Sequence, residues 1–214
     1  MVLDNQRKNV DPFFNRVAKY FVKVNPNVLT WISLIFAILA GVFFYFSSPE
    51  TELNNYFLCF AVIFVTLNGF FDAIDGKVAK LAKKTSKKGD YLDHAIDRFA
   101  DVFMIGGIAL SPWLVNHPYI GLLAIVGVLL TSYMGTQAQA VGYKRDYSGL
   151  LGRADRLVLL MIIPIIQHIW LYYTDSGLFI RLYWLEWVLL YFAVMGIITA
   201  IQRFYSTLKW FKQS

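Results

Sequence analysis

The sequence predicts an all-α polytopic membrane protein, with six transmembrane helices and an N-terminal amphipathic surface helix. Of the 214 residues, 57% are hydrophobic and only 16% are charged, whereas soluble domains average roughly a quarter charged residues. Uncharged stretches recur that reach the length of about 20 residues needed to span a bilayer. Lysine and arginine lie at the ends of these stretches, so the net charge of +6 indicates membrane topology rather than nucleic-acid binding.

The first 23 residues differ from the transmembrane domain, which we place at 24–214. Basic residues alternate there with apolar residues that fall near one helical face. The apolar residues are Phe13, Val17, Tyr20, Phe21 and Val24. This pattern predicts a short amphipathic helix at the membrane surface. A basic flank ahead of the first span is the alternative interpretation.

The positions of the charged residues predict the spans. The first lies within Val24 to Pro49, which is uncharged, and the second lies within Leu53 to Phe71. The stretch from Val102 to Tyr143 has no Lys, Arg, Asp or Glu and is too long for one span, so we divide it in two at the Asn-His-Pro break, 116–118. The last two spans are Leu157 to Thr174 and Leu182 to Gln202.

Loop charge predicts the orientation of the spans. Basic residues collect on one side, around 77–88, 144–156 and both termini. The other side carries Glu50, Glu52 and a single arginine, Arg181. Cytoplasmic loops carry the excess of lysine and arginine. The asymmetry therefore predicts a multi-pass protein of the cell membrane whose termini face the cytoplasm.

Four carboxylates lie at one predicted membrane edge. Asp72 and Asp75 follow the second span, and Asp93 and Asp97 precede the third. On helices, spacings of three and four residues put each pair on one face. A lysine-rich turn at 81–90 reverses the chain, so two antiparallel helices can bring the pairs together at the cytoplasmic edge. Carboxylates close to hydrocarbon are costly and usually serve function.

Such a cluster predicts a site for divalent cations. Four like charges in a small volume repel one another or stay protonated. Oxygen ligands favour hard ions, so we expect Mg²⁺ or Mn²⁺ rather than Ca²⁺, and four carboxylates can hold two ions. Two close metals can bind a diphosphate and activate an attacking oxygen. His94 adjoins Asp93 but points off the shared face, so we do not expect it to be a ligand.

Two glycines accompany the carboxylates. Gly76 stands in a helical pattern, where glycine costs about 1 kcal/mol against alanine. Either close approach of a ligand or close packing of helices would explain it. We expect Gly89 in the turn before the next helix, with Asp90 as the N-cap.

The spacing of these residues resembles the signature of the CDP-alcohol phosphotransferase family. The matching pattern is Asp72-x2-Asp75-Gly76-x2-Ala79-Lys80-x8-Gly89-x3-Asp93-x3-Asp97. Seven of its eight positions match. Lys80 stands where the family usually has arginine, and it keeps the charge but lacks the bidentate fork.

The resemblance implies a reaction and its residues. An acceptor hydroxyl attacks the lipid-bearing phosphate of a CDP-linked lipid, or a CDP-linked head group is transferred to a lipid alcohol, and CMP leaves. The four aspartates bind two metals, and Asp97 is also the general base. The family also forms homodimers. The CDP pocket would comprise Asn27, Thr30, Asn68, Asp72, Gly76, Ala79 and Lys80.

Two further stretches concern the acceptor. The pattern that contains Asp97, Arg98 and Asp101 resembles the branch of the family that makes phosphoinositides. For Asp101, a structural pair with Arg98 at i, i+3 is the alternative.

A basic stretch from 142 to 157 predicts that the acceptor carries a phosphate, which arginine and lysine bind through charge-assisted bonds. Its basic residues are Lys144, Arg145, Arg153 and Arg156. For the first two, a loop that only sets topology is the favoured alternative.

The sequence thus predicts a transferase that joins a CDP-activated diradylglycerol, for example CDP-archaeol, to myo-inositol phosphate. Glycerol 3-phosphate is the nearest alternative acceptor. A divalent-cation transporter is the rival from another class. Transporter sites usually lie near the bilayer midplane in broken helices, whereas these aspartates are expected at one membrane face, which favours the enzyme.

Overall fold

The computed structural model describes residues 7–144, 146, 148–174 and 176–213, without the side chains of residues 7–10, 52 and 54. In this part of the chain the regular structure is helical, apart from one isolated β-bridge. The α-helices are α1 (Arg7–Ala18), α2 (Pro26–Phe46), α3 (Glu52–Leu81), α4 (Lys87–Ala109), α5 (Pro118–Ala140), α6 (Arg153–Tyr173) and α7 (Trp184–Phe211). The all-α prediction is confirmed.

Five of the described helices are long and apolar enough to cross a membrane, so the chain is a multi-pass membrane protein. They are α2, α3 from Asn55 onward, α5, α6 and α7. The predicted third span begins in the last third of α4, at Val102, whereas the first two thirds of that helix carry the charged residues from Lys87 to Asp101. Because of these charges α4 is not apolar enough to be counted with the other five helices. The count of six spans therefore stays a prediction.

The helices after α1 pack as a closed ring. Around it, α3 contacts α2, α2 contacts α4, α4 contacts α5, α5 contacts α7, α7 contacts α6, and α6 returns to α3. One apolar core takes side chains from all six helices. They include Ala37, Leu58, Met104, Ala124, Leu160 and Phe192. The end of α3 and the start of α4 thereby lie beside the start of α6, which is far away in sequence.

Two helix crossings are close because small residues face each other. At the α2–α4 crossing, a Cβ added to Gly107 would overlap the backbone of Gly41. At the α5–α7 crossing, a Cβ on Gly196 would lie 2.6 Å from the carbonyl carbon of Gly127. There the Thr131 hydroxyl donates to the Gly196 carbonyl oxygen at 2.7 Å. Small residues allow such close approach of helices in membranes.

The N-terminal helix α1 packs against α3. Ala18 is buried in a small apolar cluster with Ile74 and Val78, and Lys77 pairs with Asp11 at 2.5 Å. The predicted apolar face is divided between two environments. Its residues Val17, Phe21 and Val24 pack on this cluster, whereas Phe13 and Tyr20 are exposed. The position of α1 at a membrane surface and the domain division after residue 23 stay predictions.

The start of α4 differs from the sequence-based expectation. Ser86 is the N-cap, and its hydroxyl accepts a hydrogen bond from the Gly89 N–H at 3.0 Å. The expectation that Gly89 lies in the turn and that Asp90 is the cap is therefore wrong. A serine hydroxyl is well suited to accept from the third amide of a helix, so the helix begins four residues earlier than expected.

Glu186, an acidic residue inside the predicted last span, has a structural role. It is buried, and its carboxylate accepts a hydrogen bond from the Tyr183 N–H at 2.7 Å. It also lies 2.6 Å from His117 Nδ1, at the start of α5. This carboxylate therefore caps α7 and joins it to α5, at the end of the ring opposite the four aspartates.

Candidate active site

Three helices meet at the end of the ring where the sequence predicts the four aspartates. The last turns of α3 carry Asp72 and Asp75, the first turns of α4 carry Asp93 and Asp97, and α6 begins at Arg153. Asp75 and Asp97 are buried, and the other two carboxylates are half-buried. The prediction that the two pairs come together is confirmed by their distances, which follow.

The carboxylates form two overlapping groups that could each hold a metal ion. One oxygen from each of Asp72, Asp75 and Asp93 lies within 4.8 Å of the others. The same distance limit holds for Asp93, His94 and Asp97. Asp93 belongs to both groups. A donor set made almost entirely of carboxylate oxygens fits Mg²⁺ or Mn²⁺.

His94, which we did not expect to be a ligand, belongs to the second of these groups. Its ring lies 3.3 Å from Asp90 and 3.6 Å from Asp93. Viewed along an ideal helix it lies off the carboxylate face, but an imidazole beside Asp93 can still turn toward the cluster. It also lines a cavity of 260 Å³ between α4 and α5, together with Arg98, Leu129, Ser132, Tyr133 and Thr136. In the sequence, the position of His94 next to Asp93 was the sign that it could be part of the site.

The start of α2 supports the cluster from the other side. The Thr30 hydroxyl donates to Asp75 Oδ2 at 2.6 Å. Asn27 lies beside the first turn of α4, since a Cβ on Gly89 would be 3.4 Å from its Oδ1. The structure therefore places Thr30 in direct contact with the aspartates, and Asn27 beside the first turn of the helix that carries Asp93 and Asp97.

The remaining candidates for a CDP pocket differ in exposure. Gly76 and Lys80 are exposed and Ala79 is half-buried. A Cβ on Gly76 would meet no atom of the described residues within 4 Å, so packing against the described helices does not explain this glycine. Asn68 is fully buried, and its side-chain amide donates to the Ser33 carbonyl oxygen at 2.9 Å. Asn68 therefore joins α3 to α2 beneath the cluster.

Arg153 reaches the aspartates directly. Its Nη1 is 2.8 Å from Asp72 Oδ1 and is also paired with Asp97 Oδ1. The guanidinium thus bridges one carboxylate of α3 and one of α4. Its Nε and Nη2 atoms are buried and have no hydrogen-bond partner among the described residues.

Arg156, one turn further along α6, has a different partner. Its Nη2 donates to Asp101 at 2.7 Å, and both side chains are buried. Arg98 lies 3.5 Å from Asp101. The expected Arg98–Asp101 pair is therefore present, but the shorter bond of Asp101 is to Arg156, 55 residues away.

The loop between α5 and α6 holds the other basic candidates. Lys144 is exposed and lies over the ring of Tyr143, and Arg145 lies outside the described residues. Burial raises the pKa of Asp146, but hydrogen bonds from Ser148 outweigh it, so this pKa is lowered overall. Arg203 of α7, which the sequence argument did not select, donates to the Ser148 and Thr131 carbonyl oxygens at 2.9 and 2.5 Å. The loop is thereby fixed to α5 and α7.

Comparison with known proteins gives one consistent result. The family model for CDP-alcohol phosphatidyltransferase matches residues 23–201. The archaetidylinositol phosphate synthase of Pyrococcus horikoshii is 29% identical over 97% of both chains. A Mycobacterium tuberculosis phosphatidylinositol phosphate synthase, solved with CDP-DAG bound, shares the fold with a TM-score of 0.69 at 21% identity, over 91% of this chain and 92% of that one.

The same mycobacterial enzyme has been solved in complex with manganese and citrate. That structure matches with a TM-score of 0.69 at 20% identity, over 91% of this chain and 88% of its own. A manganese complex in a protein of this fold agrees with the carboxylate groups described above, which could hold a divalent metal ion. Since the family model covers most of the sequence, this chain is a transferase that belongs to the CDP-alcohol phosphatidyltransferase family.

Proposed function

We propose that this transferase joins the lipid phosphate of a CDP-activated diradylglycerol to myo-inositol phosphate. The acceptor hydroxyl forms a new bond to the phosphorus that carries the lipid. The bond from that phosphorus to the oxygen of CMP breaks, and CMP leaves. The observation that carries the proposal is the contact of Arg153, an arginine with unused donors, with two of the four clustered aspartates.

Two ions, Mg²⁺ or Mn²⁺, would be held by Asp72, Asp75, Asp93 and Asp97. The two overlapping groups of ligand atoms support this number. When bound, the ions would neutralise the diphosphate and stabilise the charge that develops on it. The protein's own part is to hold the four carboxylates together from two helices, with Thr30 fixing Asp75.

Asp97 is the proposed general base. It is paired with Arg153 and belongs to the same candidate metal group as Asp93, so a hydroxyl arriving beside Arg153 would be within reach. Its carboxylate would take the proton of that hydroxyl as the new bond forms.

The CDP group would lie along the ends of α2 and α3. The proposed contacts are Asn27, Thr30, Asn68, Asp72, Gly76, Ala79 and Lys80. The exposed, open position of Gly76 supports close approach of a ligand, and the exposed Lys80 can offer its charge to a phosphate. Asn68, which is fully buried, would act by positioning α3 against α2.

The acceptor phosphate would be bound by the basic group of Lys144, Arg145, Arg153 and Arg156. Arg153 supports this role best, because both its Nε and Nη2 atoms lack a hydrogen-bond partner among the described residues, whereas in Arg156 only Nε does. Arg156 is committed to Asp101 and would contribute charge from behind. We further propose that the active site and termini face the cytoplasm, that the six ring helices span the membrane, and that the chain is a homodimer.

The test is an acceptor panel with the full chain in nanodiscs that contain CDP-archaeol or CDP-diacylglycerol and Mn²⁺. CMP release is measured with myo-inositol phosphate, glycerol 3-phosphate, myo-inositol and serine. We expect the highest kcat/KM with myo-inositol phosphate. A highest value with glycerol 3-phosphate would establish the alternative acceptor, and equal rates with myo-inositol and its phosphate would overturn the phosphate-binding role of α6.

A further inference from the structure

One guanidinium occupies part of the proposed cation site. Arg153 Nη1 contacts the Oδ1 atoms of Asp72 and Asp97. Asp72 belongs to one of the two candidate metal groups and Asp97 to the other. Because a donor on a carboxylate oxygen occupies a lone pair that a metal would use, the arginine and the cations compete for these oxygens.

Charge makes the competition stronger. A divalent ion among these carboxylates and a guanidinium on the same carboxylates are like charges at short range, in a partly buried place where screening is weak. No matching conflict exists at Arg156, because its partner Asp101 is in neither candidate metal group. Arg153 is thus the residue of α6 that competes directly with cations for the carboxylates of the two groups.

The other edge of the same guanidinium is unused. Nε and Nη2 of Arg153 are buried without a hydrogen-bond partner in the described part of the chain. Buried polar groups are normally paired, so we expect these donors to bind a ligand group. An arginine fork matches the two oxygens of a phosphate.

We propose that Arg153 is an exchangeable counter-ion, which competes with cations for Asp72 and Asp97 and is transferred to the acceptor phosphate when cations take those carboxylates. The proposal rests on the function proposed above. By linkage, a phosphate that draws Arg153 away must strengthen cation binding, and cations must strengthen phosphate binding by the same factor. Acceptor and metal would then bind cooperatively, so that the enzyme assembles its site only when both are present.

The experiment measures Mn²⁺ affinity in the absence of CDP-lipid. The full chain in nanodiscs is titrated with Mn²⁺, and the electron paramagnetic resonance signal of free Mn²⁺ reports binding. The variants are Arg153→Gln, Arg153→Lys and the control Lys77→Gln, which removes a nearby charge paired with Asp11 rather than with the four aspartates. Thermal unfolding checks that each variant is folded.

We expect Arg153→Gln to bind Mn²⁺ about tenfold more tightly than the wild type, the size of one partly screened charge interaction. Arg153→Lys cannot bridge both carboxylates as well, so its Mn²⁺ affinity should lie between those of the wild type and Arg153→Gln. It replaces Arg153→Gln in the comparison if that variant does not fold. Lys77→Gln should stay within about twofold, because the ammonium of Lys77 is paired with Asp11 and not with the four aspartates. Weaker Mn²⁺ binding in Arg153→Gln, or equal tightening in Lys77→Gln, would overturn the proposal.

A second titration adds inorganic phosphate as the probe. Phosphate should tighten Mn²⁺ binding in the wild type more than in Arg153→Gln, where only direct contact between phosphate and Mn²⁺ remains. Equal tightening in both would overturn the transfer of Arg153. These titrations involve no turnover, so tighter Mn²⁺ binding without CMP release on any acceptor would refute the proposed function and leave this inference standing.

Discussion

Single carboxylates carry most of the proposed chemistry, and Asp97 is the one with two roles. We expect Asp97→Asn to lower the rate of CMP release by at least about 100-fold, since a general base contributes typically 10²–10⁴-fold. Mn²⁺ binding should be partly retained, because Asp72, Asp75 and Asp93 still form one group. The control is Asp90→Asn, an exposed carboxylate of the same helix. Full activity of Asp97→Asn would refute its role as base.

Arg156 could stabilise the fold through its pair with Asp101 or bind the acceptor, and substitutions can distinguish the two roles. Breaking a buried pair by removing one partner typically costs about 3–5 kcal/mol, so Asp101→Asn and Arg156→Met should each lower the unfolding temperature clearly. The double variant should cost less than the sum of the two. If Arg156→Met instead keeps the unfolding temperature and raises only the acceptor KM, the residue is a ligand of the acceptor rather than a partner of Asp101.

The contacts of some residues could be predicted from the sequence, and those of others could not. The spacing of Asp72, Asp75, Asp93 and Asp97 was enough to predict that they cluster, because spacings of three and four are local properties of a helix. The partner of Arg153 was not predictable in this way. Its contact with Asp72 joins residues 81 positions apart, and no periodicity reports such a distance.

Among the helices, the close α2–α4 crossing gives a test of packing. A methyl group on Gly107 would overlap the backbone of Gly41, and overpacking typically costs about 1–3 kcal/mol. We therefore expect Gly107→Ala to lower the unfolding temperature in detergent. The neighbouring Gly106→Ala is a matched control, because its Cβ would meet no described atom within 4 Å and alanine favours a helix by about 1 kcal/mol. Equal effects of both changes would contradict the close crossing.

The ends of the helices show where pattern reading fails. Turn residues at Gly89 and Asp90 suggested a late start for α4, but the Ser86 hydroxyl caps the helix. Several residues of the segment 85–90 could serve as caps or turn residues, and the residue types alone do not say which of them the helix uses. The glycine pair Gly41 and Gly107 was likewise invisible, since 66 residues separate its members and nothing local relates them.

For the whole molecule, the number of spans determines the orientation of the two ends. In a Cys59→Ser background, cysteines at exposed Lys84, Ser176 and Lys212 can be probed with an impermeant maleimide on intact and permeabilised cells. We expect labelling of Ser176→Cys on intact cells, and of the other two only after permeabilisation. If α4 does not span, positions 84 and 212 would lie on opposite sides, and labelling of one of them on intact cells would contradict six spans.

The sequence by itself determined the all-α class, the membrane location, the family signature and the aspartate cluster, because each follows from composition or from spacing within a few helical turns. Only the tertiary structure decided which arginine touches the aspartates, that Arg156 belongs to Asp101, and that Thr30 supports Asp75. These contacts depend on how the ring closes. Packing of the whole core brings α6 back against α3, so that its first turns reach the aspartates of α4. The sequence between 101 and 153 contains no local pattern that fixes this geometry.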